Sequence, residues 1–137
     1  MCAYLECGIA LFVRLNALGL AVLITNPTER GTGMFGLVVR FTCKDETSAA
    51  VFDDLVARTG EQIRANEPGT VVYTVHRVDG RPLQRIFYEL YRDKAAFDDH
   101  ESKDYVRAFL AERDAYLSAT EVDFLDLVSA KGVDGEQ

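Results

Sequence analysis

Residues 34–132 predict an α+β domain built on a four-stranded antiparallel sheet, and three observations carry the prediction. Segments rich in β-branched and aromatic residues recur at 34–42, 70–78, 84–92 and 121–128. Between the first and second of these, and again between the third and fourth, apolar residues fall at three- and four-residue intervals instead. Asp79-Gly80-Arg81-Pro82 is a turn signal that leaves only a short link between the two middle segments, which makes them an antiparallel hairpin. The resulting order, βαββαβ, is the ferredoxin-like arrangement, with the helices on one face of the sheet.

Each element has its own warrant. "MFGLVVRFT", Met34 to Thr42, is the opening strand. "KDETSAA" offers Asp45, Thr47 and Ser48 as helix N-caps. Val51, Phe52, Leu55, Val56, Thr59 and Ile63 then form the stripe of an amphipathic helix that runs to about Ala65 and stops at Pro68-Gly69. "TVVYTVHRV", Thr70 to Val78, and "QRIFYELYR", Gln84 to Arg92, are the hairpin strands. Asp93 caps a helix from Lys94 to about Glu101, and Ser102 a second from Tyr105 to Tyr116; Phe97, Val106, Phe109, Leu110 and Leu117 supply their apolar positions. "EVDFLDLV", Glu121 to Val128, is the closing strand, and residues 133–137 are a polar tail.

Strand alternation sends Ile86, Tyr88 and Leu90 to one face, and Phe87, Glu89 and Tyr91 to the other. Helices cover one face only. The second apolar face predicts a homodimer with sheets face to face.

The first 33 residues read differently. "IALFVRLNALGLAVLIT", residues 9–25, is apolar but interrupted by Arg14 and Asn16, too short and broken for a membrane span. It also lacks the positive start and small-residue end of a secretory signal. Two readings stand: a packing segment, or an upstream extension with Met34 as the natural start. The second is preferred.

Composition narrows the function classes. A net charge of −7 and a pI near 4.8 disfavour a nucleic-acid surface or adhesion to anionic membranes, and suit a cytoplasmic protein. Cys2, Cys7 and Cys43 are odd in number and lack CxxC spacing, so they predict reduced thiols instead of a disulfide framework or a zinc site. No GxGxxG or GxxxxGK[ST] fingerprint supports a dinucleotide or P-loop site. His76 and His100, 24 residues apart without a carboxylate at close ligand spacing, form no recognisable metal site.

Three stretches carry a family resemblance: "NEPGTVVY" (Asn66 to Tyr73), "FYELYRDKAAFDDHES" (Phe87 to Ser102) and "YVRAFL" (Tyr105 to Leu110). In order and spacing they resemble the antibiotic biosynthesis monooxygenase family of dimeric α+β barrel proteins, over roughly Met34 to Ala130. The resemblance implies oxidation of a small aromatic or quinol-type substrate by O2 without flavin, haem or metal. The protein would bind a flat ring, remove a proton and stabilise the oxyanion. Two alternatives implied by relatives are an isomerase or lyase acting by proton transfer, and a ligand-binding protein without turnover. The haem-degrading branch is disfavoured: it uses a helical histidine where Leu110 stands, an asparagine absent from the opening strand, and a tryptophan this chain lacks.

His100 is the candidate base, since an imidazole accepts a proton near neutral pH; its bland role is to tie the helix start to Glu89 or a carbonyl. Glu89 is expected to orient it, or else to be a solvated rim carboxylate. Tyr73, Tyr91 and Phe87 are candidate substrate contacts, or plain core aromatics. Asn66 could bind a carbonyl, or cap its helix. Tyr105, another candidate contact, stands where many relatives carry a second histidine, which argues against a two-histidine mechanism.

Overall fold

The computed structural model describes residues 33–133, together with the backbone of two short strands, Val13–Leu15 (β1) and Ala21–Leu23 (β2). The chain divides into two compact units, residues 1–31 and 32–137. In the first, β1 and β2 pair antiparallel with Val13 opposite Leu23. The expectations for residues 1–33 as an extension and for the extreme tail otherwise lie outside the described residues.

In the second unit the elements follow in the expected order: β3 (Phe35–Cys43), α1 (Glu46–Asn66), β4 (Thr70–Val78), β5 (Arg81–Tyr91), α2 (Lys94–Ser102), α3 (Asp104–Arg113) and β6 (Leu117–Asp126). The strands pair antiparallel throughout, in the order β4-β5-β3-β6. This is the ferredoxin-like sheet.

Several boundaries differ from expectation: α3 stops at Arg113 instead of Tyr116, and β6 runs from Leu117 to Asp126 instead of Glu121 to Val128. β5 begins at Arg81, because the hairpin closes on the two residues Asp79-Gly80, with Val78 opposite Arg81 and Gly80 at φ 71°. Pro82 is tolerated there because β3 pairs only as far as Gln84. Leu117 belongs to β6, not to a helix: it pairs with Cys43 across a register shift. Ser102 does not cap α3; its hydroxyl donates to the Asp99 carbonyl, and Lys103 occupies the cap position without a side-chain bond.

Two caps behave as expected. Asp45 accepts from the Ser48 N–H at 2.7 Å and Asp93 from the Ala96 N–H at 2.7 Å, each satisfying an otherwise unpaired first-turn donor.

Register sorts the strands into two faces. Tyr73, Glu89, Leu37 and Phe124 stand side by side on the inner face, as do Val75, Phe87, Val39 and Val122. All three helices pack on this face around a core of edge-on aromatics: the Phe41 ring lies 4.8 Å from Phe87 and 5.3 Å from Phe52. Each such ring, fully buried, contributes roughly 1.5–3 kcal/mol of transfer free energy. The outer face carries Val72, Leu90, Gly36 and Leu125 in one row and Thr74, Tyr88, Val38 and Asp123 in the next. A groove of about 370 Å³ on that face is lined by Tyr88, Leu90, Leu125 and Val128 among others. No described helix is long and apolar enough to cross a membrane.

Candidate active site

The site forms where the α1–β4 corner meets α2 and α3. α1 ends at Asn66, and Glu67 takes the C-cap position with its N–H bonded to the Ile63 carbonyl at 3.0 Å. Pro68 stops the helix there. Gly69 is needed for a steric reason: a Cβ at this position would stand 2.7 Å from the Cβ of Ala96 on α2. The corner therefore presses directly on α2, and the "EPG" triplet directs the Glu67 side chain inward.

Glu67 is almost wholly enclosed, its side chain 2% exposed, and both its oxygens are engaged. Oε2 lies 2.8 Å from His100 Nδ1 and accepts the Thr70 hydroxyl at 2.6 Å; Oε1 accepts the Tyr105 hydroxyl at 2.6 Å. Burial alone would lift this carboxyl's pKa, but the three partners outweigh it and hold it below its usual value. For His100, also buried, desolvation opposes the charged form. The Glu67 hydrogen bond and the charges of Glu89, Glu67 and Glu101 prevail, and its pKa is raised.

The imidazole sits between aromatic rings, 5.3 Å from Tyr91 and 6.3 Å from Tyr73. Below it on the sheet, the buried Glu89 accepts the Tyr91 hydroxyl at 2.6 Å. Residues two apart on one strand share a face, so this pair is local to β5. Burial pushes the Glu89 carboxyl up despite the Tyr91 bond, and pushes both tyrosine hydroxyls up as well.

The structure thus corrects two expectations. The carboxylate bonded to His100 is Glu67, not Glu89, which acts on the imidazole only through its charge. Asn66 is not turned toward the cluster: it is exposed, and its amide donates back to Gln62. The other candidates fall as follows. Tyr73 and Tyr91 flank the imidazole, Tyr105 reaches it through Glu67, and Phe87 lies one layer deeper in the aromatic core, 5.9 Å from Tyr73. Sequence reasoning missed Glu67. The available signal was a carboxylate fixed between a helix end and Pro-Gly, a position from which it need not face solvent.

Away from the site, Cys43 is buried and free, with burial raising its pKa. His76 is exposed and pairs with the Thr74 hydroxyl at 3.1 Å. No group of three potential ligands suited to a metal ion occurs among the described residues.

Fold and cluster together describe a ferredoxin-like α+β protein with a buried imidazole–carboxylate pair between sheet and helices. Residues 34–112, more than half of the chain, match the model of the antibiotic biosynthesis monooxygenase family, and the chain belongs to that family. A crystal structure of a Caulobacter crescentus protein provisionally named an antibiotic biosynthesis monooxygenase shares 28% identity at a TM-score of 0.67, covering 72% of this chain and 92% of that one. The Mycobacterium tuberculosis protein Rv0793 superposes at a TM-score of 0.66 with 17% identity, over 72% of this chain and 98% of its own. A Methanosarcina mazei conserved protein gives a TM-score of 0.63 at 18% identity, over 69% and 92%. These last two show the fold alone. No curated protein matches the chain.

Proposed function

We propose that the protein is a cofactor-independent monooxygenase acting on a small aromatic or quinol-type compound. One observation carries the reading. In a chain of this family, a buried imidazole is hydrogen-bonded to a carboxylate and flanked by two tyrosine rings. In this reading His100 takes a proton from an activated phenol or methylene, and the electron pair stays on the substrate. The resulting phenolate or carbanion is rich enough in electrons to reduce O2 directly. For an anthrone-like methylene the balance is CH2 plus O2 to a carbonyl plus water: one oxygen atom enters the substrate, and the other leaves with both hydrogens.

In this reading Tyr73, only partly buried, faces the substrate ring, and the fully buried Tyr91 backs the imidazole. The Tyr91 hydroxyl is committed to Glu89, which leaves Tyr73 as the donor to a developing oxyanion. The protein works as a homodimer in this reading, with the outer sheet face, which leaves Val72, Ile86 and Tyr88 partly exposed, against a second copy.

The test is O2 consumption with a panel of quinols and anthrones, without added flavin, haem or metal. Substrate-dependent uptake is expected, with His100→Ala slower by about 10²–10⁴-fold. No uptake across the panel, or full activity in His100→Ala, overturns the proposal.

A further inference from the structure

We infer that Glu67 is the positioning residue of this site: clamped by Thr70 and Tyr105, it holds the His100 imidazole with its proton on Nδ1, so that Nε2 is the atom left to accept a proton. The inference rests on the reading of His100 as a base.

Donors and acceptors decide the tautomer. An ionised carboxylate only accepts hydrogen bonds. Glu67 already takes the Thr70 hydroxyl on Oε2 and the Tyr105 hydroxyl on Oε1, both at 2.6 Å. Bonds of that length suit a charge-assisted contact to an anion, and the same partners hold the Glu67 carboxyl below its usual pKa. The contact at 2.8 Å from Oε2 to His100 Nδ1 must then be donated by the ring. In a neutral imidazole a proton on one nitrogen leaves the lone pair on the other, and the bond made by the first sets the tautomer.

The clamp is stiff. The Glu67 backbone is held by its bond to Ile63, the Thr70 N–H donates to the Glu67 carbonyl at 3.2 Å, and Gly69 is wedged against Ala96. When Nε2 takes a proton, the substrate O–H or C–H bond breaks and an N–H bond forms. The imidazolium so produced lies against the Glu67 anion, whose other described partners, Thr70 and Tyr105, are neutral hydroxyls.

Tyr105 acquires a definite task by the same geometry. Relatives with histidine at this position would present a ring nitrogen; here a phenol, itself pushed up by burial and by Glu67, remains a donor at every pH of interest. It keeps Glu67 in place without competing for the proton.

The charged and titratable groups facing the imidazole are Glu67 at the end of α1, Tyr73 on β4, Glu89 and Tyr91 on β5, Glu101 on α2 and Tyr105 through Glu67 from α3. Among the described hydrogen bonds, the one made by a His100 ring nitrogen runs from Nδ1 to the Glu67 carboxylate.

The test is ¹⁵N NMR of the histidine side chains, which needs no substrate. The sequence has two histidines, and exposed His76 serves as the internal reference. Wild type should show His100 with Nδ1 protonated and Nε2 bare above its titration midpoint. Glu67→Gln should lower that midpoint by about 1–3 pH units, the range for loss of an adjacent opposite charge. Tyr105→Phe, which keeps the carboxylate, should leave the tautomer intact and move the midpoint less. A bare Nδ1 in wild type, or a midpoint in Glu67→Gln within about 0.3 pH unit of wild type, overturns the inference.

Should Glu67→Gln fail to fold, Thr70→Val together with Tyr105→Phe decides. A mixed tautomer or a shifted midpoint in that double variant supports the clamp, and a tautomer and midpoint both unchanged from wild type reject it. Where an oxidisable substrate is in hand, Glu67→Gln should lower kcat by about 10–100-fold with little change in KM, since it removes orientation instead of binding. Absence of any O2 chemistry would sink the function proposed above and leave the NMR result standing.

Discussion

Gly69 makes the closest approach of any described glycine, and it yields a quantitative prediction. A methyl group added at Gly69 would meet the Ala96 Cβ at 2.7 Å, whereas ordinary contact begins at 3.4 Å, a shortfall of 0.7 Å. Neither group has a rotamer to change. Ala96 is buried in the first turn of α2, so the corner and the helix must move apart as units.

Overpacking of this kind costs about 1–3 kcal/mol. In a domain of about 100 residues each kcal/mol lowers Tm by about 4–8 °C. The displacement also has a functional address, because the corner carries Glu67 and α2 carries His100 one turn beyond Ala96. A separation of that size would stretch the 2.8 Å bond between them toward the limit of a hydrogen bond.

Gly60 supplies the control. It lies in α1, where a Cβ would meet nothing within 4 Å. Gly60→Ala should therefore stabilise by about 0.5–1 kcal/mol through helix propensity alone. Thermal or urea unfolding of the two variants beside wild type is the assay. Opposite signs are expected. A Gly69→Ala protein as stable as wild type, or matching Gly60→Ala, would refute the close-packing argument and the reading of the Pro68-Gly69 corner with it.

Three further predictions follow from other contacts. Asp53 accepts two of the three Arg85 guanidinium nitrogens, Nε at 2.7 Å and Nη2 at 3.0 Å, as well as Arg77, and the Arg85 side chain is 5% exposed. Asp53→Ala leaves that buried cation without its carboxylate, with Nη1 alone still bonded to the Pro82 and Gln84 carbonyls, and should cost about 3 kcal/mol in urea unfolding, while Arg77→Ala, at an exposed partner, should cost under about 1 kcal/mol. His100 is raised in the folded state, so the proton it binds stabilises the protein fully below the unfolded value of about 6.5, and that stabilisation is lost as pH rises through the folded value. A base needs the neutral ring, so kcat/KM should climb through the same window in which stability falls, and His100→Asn should flatten the stability curve there. Finally, the homodimer proposed above predicts that wild type sediments as a dimer and that Leu125→Glu on the outer sheet face sediments as a monomer without loss of helical circular dichroism; a wild-type monomer would overturn the proposed face-to-face pairing.

The fold was legible wherever local pattern and tertiary context agree. Thr70–Val78 is a β-branched, aromatic run bounded by Pro-Gly and Asp-Gly, and it forms a strand with those same limits. Legibility failed at "DAYLSAT", where Tyr116 and Leu117 continue a helical spacing; pairing of Leu117 with Cys43, 74 positions earlier, settles the matter, and no local signal encodes it.

The site was half legible. His100, Tyr73 and Tyr91 do gather, because strand parity and helix phase place them on one side. The partner carboxylate was misassigned because Glu89 is close along the chain while Glu67 is 33 positions away. Only the closure of α2 and α3 over the α1–β4 corner brings Glu67 in, and that closure is a property of the packed helices.

Proton removal by His100 can be watched apart from oxygen. Mixed anaerobically with an anthrone that absorbs at longer wavelength when ionised, the wild-type protein should generate the bound anion, and His100→Ala should not. An equal anion signal from both proteins would contradict the account.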